Sequence, residues 1–387
     1  RVDRRQRQMC IRDRIYVLMI LCLMVISAIY AGKTKIGKQF GAALIVIVFT
    51  AILANLKLIP SASNSIGLYS AIFKYIAPIS IFYLLLNVNL TSIKQAGFPM
   101  VGLFLIGSLA TTLGVLISWK VLSPEIILGE DGKIIAGMLT GTYTGGSVNF
   151  NAIALEYGFQ EKGILYAGTI AVDNVITALW IIATLTFPMS IGRFWKAKAN
   201  FKSNVKINDK ALNENEGIDL TSMMWLIFLG VAAYFISEML SGLLPNIPSI
   251  LILSTIGILL AQTKFVANLK GSHNLGLYLV YIFLAVIGAY CELSAVAELK
   301  DVGINILLFA GLTILLHGLI IIILGGFFYR DWEMIAIVSQ ANIGGGTTAI
   351  ALAETFDRKE LILPAILVGT LGNALGTYLG FFVIYLL

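Results

Sequence analysis

Two stretches of the sequence gather residue types that could hold a small polar molecule or an ion. The first runs from Thr140 to Asn151 as TGTYTGGSVNFN, and the second from Ser339 to Thr348 as SQANIGGGTT. Adjacent glycines permit φ > 0 and break a helix, freeing backbone N–H and C=O groups that hydrocarbon cannot satisfy. At membrane depth such backbone is tolerated only where it is buried in protein or lines a cavity. There, half-helix N-termini suit an anionic group and free carbonyls suit a cation. The candidate solute-binding residues are Thr142, Thr144, Gly145, Gly146, Ser147 and Asn149, with Asn342, Gly344, Gly345, Gly346, Thr347 and Thr348. The bland alternative is close helix packing by small residues, which Gly325-Gly326, a pair without polar company, illustrates. The dense polar flank, present twice, favours binding.

A second feature is Asp173-Asn174 within Ala167–Trp180 (AGTIAVDNVITALW). An aspartate at mid-membrane costs about 2.5–3.5 kcal/mol, so it faces a cavity or a partner. A carboxylate beside an amide oxygen suits a hard cation such as Na⁺, and a desolvated carboxyl could instead carry a proton. With Asn373 and Gln340 these two residues form the candidate coupling-ion set; no other cofactor is expected. The competing reading is a structural ion pair between Asp173 and Lys74. His317, alone in an apolar segment, reads as a satisfied interhelical donor. Glu156 and Glu354 read as solvated segment ends, and Glu292, Glu298 and Asp301 as a solvated acidic loop.

Other chemistries find little support. Cys10, Cys22 and Cys291 are widely spaced and form neither a disulfide framework nor a CxxC site. The two histidines, His273 and His317, make no HExxH pair. An intramembrane enzyme would need a nucleophile with a base, or an aspartate dyad, where one mid-membrane aspartate is found. A non-transporting receptor would be expected to carry a soluble signalling domain.

The elements that must position these residues follow from composition. Among 387 residues, 58% are hydrophobic and 12% charged, with a mean hydropathy of +0.90. A soluble domain carries about 25% charged residues, so this chain has too little polar surface for water. A bilayer core about 30 Å thick needs about 20 apolar helical residues. Six such segments come first: Ile15–Ala31, Phe40–Leu58, Leu68–Val88, Phe98–Leu122, Ile134–Leu155 and Ile164–Ile191. A polar loop, Gly192–Thr221, follows, and then six more: Met223–Leu244, Ile247–Gln262, Leu275–Cys291, Val302–Gly325, Met334–Ala353 and Leu361–Leu387. The net charge of +6 sits in short loops, which reads as topology and not as a nucleic-acid patch.

The halves are related. Asp131–Val148 aligns without gaps on Asp331–Thr348 at an offset of 200, with identities at Asp131/Asp331, Ile135/Ile335, Ala136/Ala336, Gly145/Gly345 and Gly146/Gly346. After a three-residue deletion Ala152–Leu155 meets an identical Ala349–Leu352, and Asn174 meets Asn373. The match indicates an internal repeat, 15–191 against 222–387, joined by the linker 192–221. Lys33, Lys35 and Lys38 mark the first loop as cytoplasmic, and Arg193, Lys196, Lys198, Lys202, Lys206 and Lys210 mark the central one. Both can be cytoplasmic only if an even number of crossings separates them. The fifth segment is therefore expected to enter and leave on one side, as a re-entrant hairpin.

The same rule places Lys94, Lys264, Lys270, Arg330, Arg358 and Lys359 inside, and Lys57, Lys120, Lys133, Lys162 and Lys300 outside. Each half then has five crossings, and the second is inverted. The stretch 1–14, RVDRRQRQMCIRDR, would fall outside despite six arginines. It does not start with methionine, has no signal-peptide cleavage site and resembles a translated sequencing-adaptor tail, so it is set aside as a non-native basic tail.

Through Gly137–Asn151 (GMLTGTYTGGSVNFN), Ala171–Leu179 (AVDNVITAL) and Ser339–Ile350 (SQANIGGGTTAI), the chain resembles the YjcL-like family of bacterial membrane proteins, catalogued as domain of unknown function 819, from residue 15 to 387. That family is grouped with the cation/proton antiporter and anion transporter superfamily, which is similar to sodium/glutamate, 2-hydroxycarboxylate and bile-acid symporters. The resemblance implies an all-α polytopic fold with inverted repeats and broken or re-entrant helices. It also implies an elevator movement of a core (68–191 and 273–387) against the scaffold (15–60 and 222–265) of a homodimer in a bacterial inner membrane. The chain departs from many proton antiporters in lacking paired acidic residues, having only Asp173 with Asn174. The expectation is a Na⁺-coupled symporter of a small carboxylate-bearing solute, with a cation/proton antiporter as the alternative.

Overall fold

The structure, a computed structural model, describes residues 2–34, 37–88, 90, 93–196, 219–244, 247–291 and 300–387. Lys35, Lys198, Lys202, Lys206, Lys210, Glu292 and Glu298 lie outside the described residues, as do the side chains of Lys38 and Asp301.

The apolar segments fold as helices, and no strand occurs among the described residues. In the first half these are α1 (Val2–Gly32), α2 (Gly37–Asn55), α3 (Gly67–Leu85), α4 (Phe98–Leu122), α5 (Asp131–Gly145), α6 (Ser147–Glu156) and α7 (Gly163–Phe194). The second half repeats this order with α8 (Leu220–Leu243), α9 (Ser249–Ala261), α10 (Ser272–Ala289), α11 (Lys300–Phe328), α12 (Trp332–Ile343), α13 (Gly345–Thr355) and α14 (Ile362–Leu386). Eight helices among the described residues are long and apolar enough to cross a bilayer, and Ala42–Asn55 and Ser249–Ala261 are shorter apolar helices.

Local chemistry sets the boundaries. Asp219 and Asp331 cap α8 and α12, their carboxylates accepting from the amides of Ser222 at 2.8 Å and Met334 at 3.1 Å. Pro78 lacks an N–H for the carbonyl of Lys74, and α3 accommodates this with a π-helical turn at Ile72–Ile76 just before it.

Each fifth segment is broken and folds back. Gly146 has φ of 102° and Gly345 has φ of 79°, a region that L side chains rarely adopt. In hairpin 1, α6 returns along α5, so that Asn149 and Ile153 pack on Gly141. Asp131 at the start of α5 pairs with Lys162, just beyond α6, at 2.6 Å. In hairpin 2, Arg358 beyond α13 reaches Asp331 and Glu333 at the start of α12, each at 3.0 Å. Both hairpins are thus closed at the root by an ion pair, and each returns to the end where it began.

The helices assort into two bundles. One contains α1, α2, α3, α8, α9 and α10; the other contains α4 to α7 and α11 to α14. The resemblance implies a moving core that includes α3 and α10; in the packing these two helices lie with the first set. Small residues explain the difference. Gly288 on α10 lies against the Ile47 backbone, Gly276 against Leu84, and Gly257 on α9 against Phe82 and Leu85. Tyr83 also donates to the Leu226 carbonyl of α8 at 2.9 Å. The second bundle is seamed by α5 against α14, where Gly145 touches the Gly372 backbone closely enough that any side chain would overlap it.

Candidate functional site

The site begins with the two helix breaks. The Gly146 amide closes α5 on the Thr142 carbonyl at 2.7 Å, and the Gly344 amide closes α12 on Gln340 at 2.8 Å. Beyond each break a new helix starts, α6 at Ser147 and α13 at Gly345, so its first amides lack intrahelical acceptors. Both tips line one cavity of about 440 Å³, within the range of small-molecule sites. Hairpin 1 supplies Gly145, Gly146, Ser147 and Val148, hairpin 2 supplies Gly344 to Thr347, and α14 supplies Thr370 and Asn373. The facing wall comes from the other bundle: Leu84 on α3, with His273, Leu277 and Val280 on α10.

The cavity lining contains no lysine, arginine, aspartate or glutamate. Its electrostatics come from the N-termini of α6 and α13, each equivalent to about half a positive charge, with the His273 ring as a further polar group. Such a surface favours a compact solute with one anionic end and tolerates an apolar remainder against Leu84, Leu277 and Val280.

The predicted solute residues divide into two groups. Gly145, Gly146, Ser147, Gly344, Gly345, Gly346 and Thr347 face the cavity. The others lie behind the tips and shape them. Asn149 Oδ1 accepts from the Thr377 amide at 3.1 Å and hydroxyl at 2.8 Å, locking α6 to α14. Asn342 Nδ2 donates to Ser108 Oγ of α4 at 3.0 Å. Thr348 Oγ1 donates to the Gly345 carbonyl at 3.0 Å and accepts from Gln340 Nε2 at 3.2 Å. The Thr144 hydroxyl turns back to the Thr140 carbonyl at 2.8 Å, and Thr142 is buried.

The predicted coupling set does not converge. Adjacent residues on a helix point about 100° apart, and this separates Asp173 from Asn174. Asp173 packs beside Tyr143 and Thr177, where its Oδ1 and the Tyr143 hydroxyl are buried without a well-formed hydrogen bond. Asn174 faces a groove between α2 and α7 lined by Leu44, Val175 and Leu179. Gln340 lies behind tip 2, 3.3 Å from the Thr184 hydroxyl, and Asn373 is in the cavity. Lys74 is exposed, 5.5 Å from the Tyr75 ring centroid, and makes no ion pair with Asp173. No cluster of three or more His, Cys, Asp or Glu among the described residues could hold a metal ion. Glu354 is exposed, while Glu156 is half-buried beside Ile250.

His317 is fully buried, with its ring nitrogens engaged by Ser339 at 2.9 Å and by Thr111 and Gly107 at 3.0 Å. His273 is a cavity residue that sequence reasoning passed over. Its neighbours do not mark it out, and it matters only because the first turn of α10 abuts the tips. Thr370 was also missed; it stands one turn before Asn373 on α14, a spacing that could have pointed to it.

The sequence model of a family described as "Protein of unknown function (DUF819)" matches residues 17–387. The chain is also 26% identical over 374 residues to the uncharacterized membrane protein YjcL of Bacillus subtilis (strain 168), covering 90% of each.

Proposed function

Because the chain belongs to the DUF819 family and is a multi-pass membrane protein, we propose that it is a secondary active transporter, a Na⁺-coupled symporter of a small carboxylate-bearing solute. The observation that carries this reading is the convergence of two glycine tips, 200 residues apart in sequence, on one cavity at the boundary between the bundles. Two half-helix N-termini there face a space with no lysine, arginine, aspartate or glutamate in its lining, an arrangement suited to a carboxylate.

In this reading the halves are inverted repeats, each with five crossings and one re-entrant hairpin. The hairpin-bearing bundle carries the solute as an elevator past the other bundle, which forms the homodimer scaffold in the bacterial inner membrane. Asp173 serves the coupling ion, Na⁺ in preference to H⁺. No enzymatic step is assigned.

A thermal-shift screen of the purified protein against organic acids and amino acids, with and without Na⁺, identifies the solute, since a ligand of the folded state raises apparent stability. Proteoliposome uptake of that solute then tests the function. An inward Na⁺ gradient is expected to drive accumulation, and Asp173→Ala to abolish it; unchanged gradient-driven uptake in Asp173→Ala would sink its role. A second reading, a cation/proton antiporter, is favoured by the separation of Asp173 from the solute cavity. Fluorescent pH-dye exchange with Na⁺, K⁺ and Li⁺ distinguishes the two.

A further inference from the structure

Away from the cavity, a chain of buried polar groups joins the two hairpins. Ser339 stands on the outgoing arm of hairpin 2, six residues before Gly345, and Tyr143 on that of hairpin 1, three residues before Gly146. Between them lies His317 of α11. Its Nε2 is 2.9 Å from Ser339 Oγ, which also accepts from Trp180 Nε1 of α7 at 3.1 Å. Its Nδ1 is 3.0 Å from the Gly107 carbonyl and 3.0 Å from Thr111 Oγ1, both on α4. The Thr111 hydroxyl donates to the Tyr143 carbonyl at 3.0 Å. His317, Ser339, Thr111 and Tyr143 are all 0% exposed.

The donors and acceptors are complete with a neutral imidazole. Nδ1–H is shared between the Gly107 carbonyl and Thr111 Oγ1, and Nε2 accepts the Ser339 hydroxyl proton. A buried chain of this kind has few alternative partners, because its members are sealed from solvent. Movement of Ser339 away from His317, or of Tyr143 away from Thr111, leaves polar groups unpaired.

We infer that His317 is a positioning residue that couples the two tips, so that a displacement of one is transmitted to the other through Ser339–His317–Thr111–Tyr143. This inference concerns the protein without solute and holds or fails independently of the transport reading. A competing route exists through α14, which touches tip 1 at Gly372 and tip 2 at Gly369, so the test must separate the two.

The test uses the full chain purified in detergent, with Cys10, Cys22 and Cys291 replaced by serine and Ser147→Cys as reporter on tip 1. Tip 2 is perturbed by Gly345→Ala. A Cβ there meets nothing within 4 Å but is forced to φ of 79°, so the change strains tip 2 without filling the cavity. N-ethylmaleimide labelling of the reporter is expected to change about fivefold or more on adding Gly345→Ala, the lower end of typical coupling. The response should vanish with His317→Leu and return with His317→Gln, whose amide can donate and accept in place of the two ring nitrogens.

Coupling is reciprocal, so Gly146→Ala should alter labelling of Thr347→Cys in the same His317-dependent way. An equal response with histidine and leucine at 317 overturns the inference and leaves the coupling to α14 or to the direct packing of α12 on α5. Lack of response with histidine in place overturns it outright. Should His317→Leu not fold, Thr111→Val breaks the same chain one bond further on and carries the same expectations.

Discussion

At the residue scale the cavity depends on what is absent from side chains as much as on what is present. Gly145 packs on the Gly372 backbone with no room for a Cβ, so Gly145→Ala should destabilise by about 1–3 kcal/mol or more through overpacking. Gly168→Ala is the control, because a Cβ there meets nothing within 4 Å. Thermal unfolding in detergent should show a lower midpoint for the first and none for the second. His273 is exposed on the cavity wall, so His273→Ala should leave solute-free stability unchanged. It should weaken solute binding about tenfold to a hundredfold, since a hydrogen bond to a charged group contributes about 1.5–3 kcal/mol; isothermal titration of the identified solute checks this. The tip glycines and Ser147 and Thr347 were legible because they are repeated. The division between cavity-facing and tip-shaping residues was not, because it depends on whether α4, α14 or empty space stands opposite each side chain.

At the element scale the two hairpins share a root design with unequal strength. Burial works against the Arg358 guanidinium charge, but the Asp331, Glu360 and Glu333 carboxylates outweigh it and hold the group above its ordinary range. Asp331 is 2% exposed, whereas Lys162 at the other root is 53% exposed. Arg358→Met strands a buried carboxylate and should cost about 3–5 kcal/mol. Lys162→Met should cost about 0–1 kcal/mol. A base held above its unfolded value contributes stability that is complete below that value and lost only as pH rises through the folded-state value, which for this guanidinium lies far above neutrality. The deficit of Arg358→Met relative to wild type should therefore stay constant between about pH 6 and 9, as measured by unfolding midpoints in that range. The aspartates at both roots were visible as an aligned pair. Their partners were not, because at the offset of 197 that follows the tips Lys162 meets Lys359, one residue beyond Arg358.

At the scale of the whole molecule, the proposed inversion of the halves would put the two hairpin roots on opposite faces of the membrane. In intact cells a membrane-impermeant maleimide should label Glu161→Cys and leave Lys359→Cys unlabelled until the membrane is opened; labelling of both from one side contradicts inversion. The elevator reading predicts that the bundles slide past each other where α2 meets α7. Leu44 and Val175 line the groove there. Cross-linking Leu44→Cys to Val175→Cys with a bifunctional reagent should stop uptake while leaving the solute-induced thermal shift intact. Uptake that survives full cross-linking argues for a fixed pathway.

What the sequence determined by itself is the one-dimensional part: a membrane chain, its apolar segments, and two breaks in matching places. Hydropathy and helix breaking are properties of a residue and its near neighbours, and the parity of basic loops adds a count of crossings, enough to expect the hairpins. The tertiary structure alone decided which helices lie side by side. Apolar helices offer each other nearly uniform surfaces, so partner choice rests on fine complementarity such as Gly288 against Ile47 and Gly276 against Leu84. That choice assigned α3 and α10 to the first bundle, brought His273 to the tips and placed Asp173 beside Tyr143 and not in the cavity lining. No spacing along the chain carries that information, because it arises where distant segments meet.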